Sequence, residues 1–421
     1  MPKARVVTFG CRLNHFESEA IEALLKDSAF DDMIVLNTCA VTQEAERQAR
    51  QKIRRLRRDN PKAFIVVTGC GAQLDPEGYG RMGEVNLVLG NHEKMKKESF
   101  LNEAGSFTLG LDNTVPPPLP DFLQKRTRAF VQIQNGCDHA CTFCVITHAR
   151  GASVSVDPEA LCAEVAKMVS SGVREIVLTG VNITSYGSDL AGKMSLAVLV
   201  HRLFERVPDL ARLRLSSVDP AEMGEDMLEV IAHEPRLLPH VHLSLQAGAD
   251  LILKRMKRRH LREDVIELCE AIRGHRPDVT FGADVIVGFP TESDDHFEDT
   301  LDLVQQCNIS MLHVFPYSVR PGTPAARMPQ VPSHVIAERG RRLRRLGEKL
   351  LFDVMTGFVG LSQVVLLERP DFGHDAHHLP VDVRGGQDSG GSLVRVHVTS
   401  VYRGPQGLRL VGDVESVCRA S

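Results

Sequence analysis

Residues 129–144, AFVQIQNGCDHACTFC, join a predicted β-strand to a loop that carries Cys137, Cys141 and Cys144. Three thiolates at this spacing can wrap a compact inorganic cluster and leave one of its irons open. Because no fourth cysteine stands nearby in the sequence, the spacing argues against a closed four-cysteine zinc site. Zinc and three incidental loop thiols remain the alternatives, and the loop is the first candidate for chemistry.

The chain after this loop alternates between strands and helices. Helical stretches are predicted near 157–170, 194–207, 222–234, 261–274 and 293–307, with a further helix at 332–355. They separate strands predicted at 129–134, 174–179, 211–216, 240–245, 280–288 and 310–315. Six parallel strands joined in this way form a full or partial (βα)6 barrel, whose functional groups lie at the carboxyl ends of the strands.

The first hundred residues predict a separate α/β unit. Apolar runs at 4–9, 33–36, 63–67 and 85–89 alternate with helical stretches that include 17–29 and 43–58. Continuous apolar strands of this kind are typical of a doubly wound parallel sheet that is covered on both faces.

Cysteines follow three of these strands. Cys11, Cys39 and Cys70 each come just past a predicted carboxyl end. Since those ends share one edge of a doubly wound sheet, the three thiols can converge there as a second ligand set with an open iron. Three separate buried thiols are the alternative.

The remaining segments complete the predicted domain organisation. Residues 106–128 contain Pro116–Pro117–Pro118 and Pro120 and are typical of a linker. The tail from 357 to 421 has short β-branched runs punctuated by Gly and Pro, as in a small β-barrel. We therefore expect an N-terminal domain over 1–105, a barrel over 129–356 and a β domain over 357–421.

Composition limits the class of protein. The chain has 421 residues, 43% of them apolar and 25% charged, which excludes a minimal binding module and a wholly disordered or collagen-like chain. We find no run of about 18 uncharged apolar residues and no apolar signal core at the start, so we expect a cytoplasmic protein without a membrane partner. In a reducing compartment, ten cysteines favour thiols or metal ligands over disulfides.

Charge is nearly balanced, with 50 Lys plus Arg against 54 Asp plus Glu. A nucleic-acid surface would therefore have to be a local patch. Basic runs at 47–58, 254–262 and 339–349 are the candidates, although such runs on helices are usually solvated faces.

The CxxxCxxC loop at the start of a predicted (βα)6 barrel resembles the radical S-adenosylmethionine (SAM) superfamily. The resemblance implies that Cys137, Cys141 and Cys144 are catalytic and bind a 4Fe-4S cluster. It also implies that SAM occupies the fourth iron and is cleaved to a 5′-deoxyadenosyl radical.

Three further motifs narrow the resemblance. Gly10-Cys11-Arg12-Leu13-Asn14, Asn37-Thr38-Cys39-Ala40-Val41-Thr42 and Thr68-Gly69-Cys70-Gly71-Ala72-Gln73 resemble the methylthiotransferase family. This resemblance spans essentially the whole chain and implies a second 4Fe-4S cluster on Cys11, Cys39 and Cys70 and a TRAM-like C-terminal domain. One departure is Thr147, where relatives commonly carry Pro.

Within that family, Leu178–Ile183, Leu215–Pro220 and Pro316-Tyr317-Ser318 are most similar to the enzymes that act on N6-threonylcarbamoyladenosine next to the anticodon in tRNA. Isopentenyladenosine in tRNA and a ribosomal protein are the alternative acceptors. An alternative hypothesis, from a different functional class, is a non-catalytic RNA-binding protein in which metal only supports folding. The enzyme reading implies a flavodoxin-like or ferredoxin-like electron donor and leaves the oligomeric state open.

The resemblance also implies a set of residues that contact SAM. Ordinary turn chemistry at strand ends is the alternative for most of them, and loop packing is the alternative for the phenylalanine. The set comprises Phe143, Gly180, Asn182, Ser217, Gln246 and Asp284, with Gly288 beside them.

The other cysteines and a histidine cluster are predicted to have structural rather than catalytic roles. Cys162, Cys269 and Cys307 lie within predicted helices among apolar neighbours and are expected in the core. His374, His377 and His378 stand among Gly and Asp residues and are expected on a surface loop.

Overall fold

The structure is a computed structural model of the chain. It describes residues 4–26, 32–101, 107–108, 127–386 and 390–418. Nearly all of the predicted linker, including its four prolines, lies outside the described residues.

The N-terminal part forms a five-stranded parallel sheet in the order β1-β2-β3-β4-β5. Its elements are β1 (Arg5–Thr8), α1 (Arg12–Leu25), β2 (Met33–Thr38), α2 (Gln43–Asp59), β3 (Phe64–Gly69), α3 (Cys70–Leu74), α4 (Pro76–Gly80), β4 (Leu87–Leu89) and β5 (Phe107–Thr108). The predicted parallel strands are therefore present.

Alternate residues of β2 bury both faces of this sheet. Ile34 and Leu36 pack with Ile53 and Leu56 of α2. On the opposite face, Met33 and Val35 pack with apolar residues of α1. Because successive side chains of a strand point to opposite faces, one six-residue apolar strand fills two cores.

Helix α1 begins earlier than predicted. It starts at Arg12 rather than at residue 17, and it ends at Leu25. Leu13, Phe16 and Ala20 are buried at the spacing of one helical face, so the helical period continues back to Cys11. The first cysteine therefore lies directly at the start of a helix.

The central part contains six longer parallel strands that are separated by helices. Its elements are β6 (Arg128–Gln132), β7 (Gln134–Asn135), α5 (Ile146–Arg150), β8 (Val154–Ser155), α6 (Pro158–Ser170), β9 (Glu175–Thr179), α7 (Leu196–Arg206), β10 (Arg212–Leu215), α8 (Glu225–His233), β11 (His240–Gln246), α9 (Asp250–Met256), α10 (Arg262–His275), β12 (Thr280–Val287), α11 (Asp294–Gln306), β13 (Ile309–Pro316) and α12 (Ser333–Thr356).

These six strands form two parallel sheets, β6-β9-β10 and β11-β12-β13. Parallel bridges from Leu213 to Leu237 and from Val218 to Leu243 join the sheets along the line between β10 and β11. Neighbouring strands thus follow chain order, as expected for a partial βα barrel.

The barrel interior is charged at the amino-terminal ends of its strands. Leu213 and Leu215 face the helices and join the main core. Between them, Arg214 points inward and its Nε lies 2.8 Å from Oε1 of Glu175, while Arg212 contacts the other oxygen of the same carboxylate at 2.9 Å. Arg128 completes this buried cluster around Glu175.

The C-terminal part is a closed five-stranded barrel in the order β14-β15-β16-β18-β17. Its strands are β14 (Ser362–Arg369), β15 (Phe372–His374), β16 (Pro380–Arg384), β17 (Leu393–Gly404) and β18 (Gly407–Cys418). The loop from β15 to β16 closes the amino-terminal end of the βα barrel, because Arg212 and Arg214 both donate to the carbonyl oxygen of Asp375.

The expectation of a surface loop at His374–His378 is wrong. His377 is buried and its Nε2 lies 3.1 Å from Oδ2 of Asp278, while His374 and His378 are half-buried. The loop is inserted against the βα barrel, a tertiary contact that local composition does not encode. Cys162, Cys269 and Cys307 are buried, as predicted.

Within the described residues, no helix combines the length and the apolar character needed to span a membrane.

Candidate functional site

The first cysteine set lies at the carboxyl edge of the N-terminal sheet. Cys11 follows β1, Cys39 follows β2 and Cys70 begins α3 directly after β3. The register aligns Thr8 with Asn37 and Thr38 with Gly69, so the three strands end side by side.

Glycine permits the close approach within this set. Gly10 has a φ of +105°, and a Cβ built on it would lie 2.7 Å from Cβ and 2.9 Å from Sγ of Cys39. The chain therefore brings the Cys11 turn against Cys39 in a way that a side chain at position 10 would prevent.

The thiols of this set differ in their burial. Cys39 and Cys70 are buried, whereas Cys11 is exposed. Burial raises the pKa of Cys39 to about 12, even though the backbone N–H of Val41 lies 3.4 Å from its Sγ. A thiolate at this position therefore requires a metal or another cation beside it.

The second cysteine set stands on the loop between β7 and α5. Its three residues are each half-buried. Backbone N–H groups of His139 and Ile146 lie 3.4 Å from the sulfurs of Cys137 and Cys144. Burial raises the pKa of Cys144 to about 12, so a thiolate at Cys144 also requires a metal or another cation beside it.

Neither cysteine set has the compact spacing of a single zinc site. Thiolates on one zinc each lie about 2.3 Å from it, so two of them are at most about 4.6 Å apart. Among the described residues, neither set has all three sulfurs within 4.8 Å of one another. The backbone N–H donors to the sulfurs of Cys39, Cys137 and Cys144 are typical of iron–sulfur sites.

The two sets lie on opposite sides of one junction. Ala40 and Cys70 of the first side pack with Val145 and Ala149 of the second, forming a small apolar cluster. Since Val145 directly follows Cys144, this apolar cluster contacts both cysteine sets.

Arg150, the last residue of α5, reaches across the junction. Its Nε donates to Sγ of Cys70 at 3.1 Å, and its Nη1 lies 2.8 Å from Oε1 of Glu17. Its Nη2 lies 3.1 Å from Oε2 of Glu17, and its two terminal nitrogens also donate to side-chain oxygens of Asn14 and Asn135.

Glu17 is the centre of this buried network. Lys94 Nζ lies 2.6 Å from Oε2 of Glu17 and 2.7 Å from Oδ1 of Asn91. Burial by itself would raise the pKa of Glu17, but the ion pairs with Arg150 and Lys94 outweigh it and lower the pKa to about 2. The carboxylate is therefore charged at every physiological pH.

Asn182 and Gly180 lie beside the second cysteine loop. The amide of Asn182 lies 2.9 Å from Nε2 of His139 and 2.8 Å from Oε2 of Glu222. A Cβ on Gly180 would approach the carbonyl oxygen of Gln134 to 2.8 Å. A cleft of about 360 Å³ opens here, with Asp138, His139, Thr184 and Glu222 among its lining residues.

The other residues expected to contact SAM lie on separate strands and loops of the barrel. Phe143 packs edge-on to Phe289 with ring centroids 6.4 Å apart. Gln246 has a φ of +72° at the end of β11. Ser217 donates to Asp284 at 3.4 Å, and Asp284 lies in the middle of β12 rather than at its end.

Two histidines that the sequence reading did not select surround Asp284. His242 Nε2 and His313 Nδ1 lie 3.1 and 3.0 Å from its Oδ1. Their alternation with apolar residues along β11 and β13 would have placed them on the interior face of the barrel. For Arg150, Glu17 and Lys94, which were also missed, no local pattern gives such a signal.

Comparison with known proteins identifies relatives over most of the chain. The family model described as Radical SAM superfamily matches residues 131–304, and the one described as Uncharacterized protein family UPF0004 matches residues 3–90. Threonylcarbamoyladenosine tRNA methylthiotransferase MtaB of Rickettsia prowazekii is 45% identical over 90% of this chain and 91% of its own length. The protein of the same name from Bacillus subtilis is 33% identical over 96% of each chain.

Other relatives differ in named substrate. The tRNA-2-methylthio-N(6)-dimethylallyladenosine synthase of Pelotomaculum thermopropionicum is 34% identical over 87% of each chain. Among solved structures, the radical S-adenosylmethionine methyltransferase TsrM from Kitasatospora setae aligns with a TM-score of 0.55 at 14% identity, covering 77% of each chain. That structural likeness supports the radical SAM fold alone.

Proposed function

This chain belongs to the radical SAM tRNA methylthiotransferases, and we propose that it converts N6-threonylcarbamoyladenosine next to the tRNA anticodon to its 2-methylthio derivative. The observation that carries the proposal is the junction at which Cys70 meets Val145, Ala149 and Arg150, because it brings two cysteine sets onto one site. The choice of nucleoside is supported by the 45% identical relative, which is named for it.

Six cysteines are the proposed ligands. Cys137, Cys141 and Cys144 would hold one 4Fe-4S cluster, on which SAM binds, and Cys11, Cys39 and Cys70 would hold a second. When bound, these groups supply the radical that breaks the adenine C2–H bond and the site at which the sulfur is presented.

Apolar residues fill the contact between the two cysteine sets. The apolar cluster of Ala40, Val145 and Ala149 fills the junction, and all three residues are less than one-tenth exposed. Apolar packing of this kind keeps water out of the contact between the two sets.

Polar residues at the barrel mouth would orient SAM. Asn182 and Gly180 lie at the end of β9, beside His139 of the cysteine loop. The proposed SAM contacts also include Phe143, Ser217, Gln246 and Asp284. The hydrogen bonds among Asn182, His139 and Glu222 preorganise this mouth, so little ordering is needed when the cofactor binds.

The proposed domains are an N-terminal methylthiotransferase domain over 1–105, a linker over 106–128, a radical SAM barrel over 129–356 and a TRAM-like domain over 357–421. The closed five-stranded barrel supports the last assignment. Phosphate contacts would come from α12, where Arg345 and Lys349 are exposed. A flavodoxin-like or ferredoxin-like protein would supply electrons.

Nucleoside mass spectrometry of tRNA tests the proposal. Cells lacking the protein should contain N6-threonylcarbamoyladenosine without its 2-methylthio form, and the intact gene should restore that form while Cys39→Ala should not. Persistence of the methylthio form in the deletion strain would overturn the assignment. Loss of the methylthio form of isopentenyladenosine instead would identify the other acceptor, for which relatives at 34–35% identity are named.

A further inference from the structure

Arg150 belongs to the βα barrel, but its guanidinium is engaged by the N-terminal sheet. Its Nε donates to Cys70 Sγ at 3.1 Å, while its two terminal nitrogens bind both oxygens of Glu17 at 2.8 and 3.1 Å. The side chain is 2% exposed, so water does not compete for these donors. The fork of the guanidinium therefore fixes Sγ of Cys70 relative to the barrel.

Among Arg150, Lys94 and Glu17, the charges do not cancel. Arg150 and Lys94 bring two positive charges against the single negative charge of Glu17. Lys94 is fully buried and Glu17 is 3% exposed, so the excess positive charge is poorly screened. A buried excess charge is costly unless an anion balances it.

The sulfur of Cys70 is the group placed to provide that balance. It receives Arg150 Nε–H directly and lies 3.8 Å from the side-chain nitrogen of Asn91, which also donates to Ala149 at 2.8 Å. Arg150 is also bound by Glu17, and Asn91 is also bound by Lys94, so both donors are fixed in position. The network thus presents positive charge and N–H groups to one ligand of the proposed second cluster.

We propose that Arg150 is a positioning residue which the barrel contributes to the second cluster, where it holds Cys70 and raises the reduction potential of that cluster. Charge and hydrogen bonds at the sulfurs are among the factors that set iron–sulfur potentials. Positive charge and N–H donors stabilise the more negative, reduced cluster. The barrel therefore influences a cluster whose ligands all belong to the other domain.

This inference rests on the proposed cluster at Cys11, Cys39 and Cys70. The test is a redox titration followed by electron paramagnetic resonance on the anaerobically reconstituted full chain, with Cys141→Ala used to identify the signal of the second cluster. Arg150→Gln should shift its potential to more negative values, because a positive charge and a donor are lost. Arg150→Lys should restore part of the shift, and Glu17→Gln should shift the potential in the opposite direction.

Arg320 supplies the matched control. It is a buried arginine that pairs with Glu46 across the same two domains, and its hydrogen bonds do not include a cysteine. Arg320→Gln should leave the potential unchanged. An unmoved potential in Arg150→Gln, shifts of the same sign in Arg150→Gln and Glu17→Gln, or an equal shift in Arg320→Gln would each overturn the proposal.

Iron content separates this inference from the proposed function. A parent chain with only one cluster would refute the cluster assignment itself. A parent chain with two clusters and an Arg150→Gln variant of unchanged potential would refute only the role of Arg150. Loss of the second cluster from Arg150→Gln, with its retention in Arg320→Gln, would support the proposal that Arg150 holds Cys70 in place. The effect of charge on the reduction potential would then be tested by Glu17→Gln alone.

Discussion

Replacement of Gly10 by alanine should remove one iron–sulfur cluster and spare the other. The added Cβ would lie 2.7 Å from Cβ of Cys39, whereas carbon atoms pack at about 3.5–4.0 Å. Cys39 would therefore have to move by about 1 Å, and metal and catalytic sites tolerate displacements of only about 0.5 Å. The proposed second cluster should be lost, while Cys137, Cys141 and Cys144 keep theirs.

Gly172 provides the control for backbone strain. It has a φ of +103°, close to the +105° of Gly10, but a Cβ built on it meets no atom within 4 Å. Both alanine variants should thus lose about 1–3 kcal/mol of stability from the unfavourable backbone conformation. Only Gly10→Ala should also disturb a cysteine.

The assay is iron and acid-labile sulfide per chain after anaerobic reconstitution, with a thermal melt of each variant. We expect Gly10→Ala to retain about half of the iron of the parent and Gly172→Ala to retain all of it. Full iron content in Gly10→Ala would refute the reasoning, because it would show that the close packing on Cys39 is irrelevant to metal binding. Equal iron loss in both variants would assign the effect to strain.

Four further predictions follow from the same structure. Cys141→Ala should abolish release of 5′-deoxyadenosine from SAM, whereas Cys39→Ala should spare that release and stop formation of the methylthio nucleoside; identical chromatographic profiles would contradict separate roles. Glu175→Ala should cost about 3–5 kcal/mol in urea unfolding because it leaves buried arginines unpaired, whereas Glu229→Ala, in an exposed pair with His233, should change stability by less than about 0.5 kcal/mol. Burial opposes the charging of His377, but the carboxylates of Asp375 and Asp278 outweigh it and raise its pKa above 6.5. The contribution of His377 to stability is therefore complete below pH 6.5 and is lost as the pH rises through the folded-state pKa. The urea midpoint should therefore fall between pH 6 and pH 9 by more in the parent than in His377→Gln. The double variant Arg345→Glu/Lys349→Glu should weaken tRNA binding and flatten its salt dependence, whereas Arg206→Glu on α7 should leave both unchanged.

The strand pattern and the cysteines could be predicted because local sequence encodes them. All six central strands were placed within about two residues of their observed ends, since apolar runs separated by helices have few other solutions. The positions of Cys11, Cys39 and Cys70 after successive strands implied that they share an edge. The structure places them there because parallel strands end together.

The residues that join the two cysteine sets could not be predicted. Arg150 contacts Cys70 and Glu17, which lie 80 and 133 positions away in the chain. No periodicity links residues at such separations, because the contacts exist only after the sheet and the barrel dock. The same reason explains the error at His377, whose loop is buried by a domain far away in sequence.

The side-chain arrangement inside the barrel could be predicted only in part from the sequence. The inward faces of β10, β11 and β12 carry Arg214, His242 and Asp284 in alternation with apolar residues, and this alternation identifies the face but not the partners. Pairing among these side chains depends on strand register. Register becomes known only with the structure.

Metal analysis of the unaltered, anaerobically reconstituted chain tests most directly whether the two cysteine sets each hold a 4Fe-4S cluster. With two clusters of four irons, the account predicts about eight iron and eight sulfide per chain, with Cys39→Ala and Cys141→Ala each reduced to about four. About four of each in the unaltered chain, or zinc in place of iron, would contradict it.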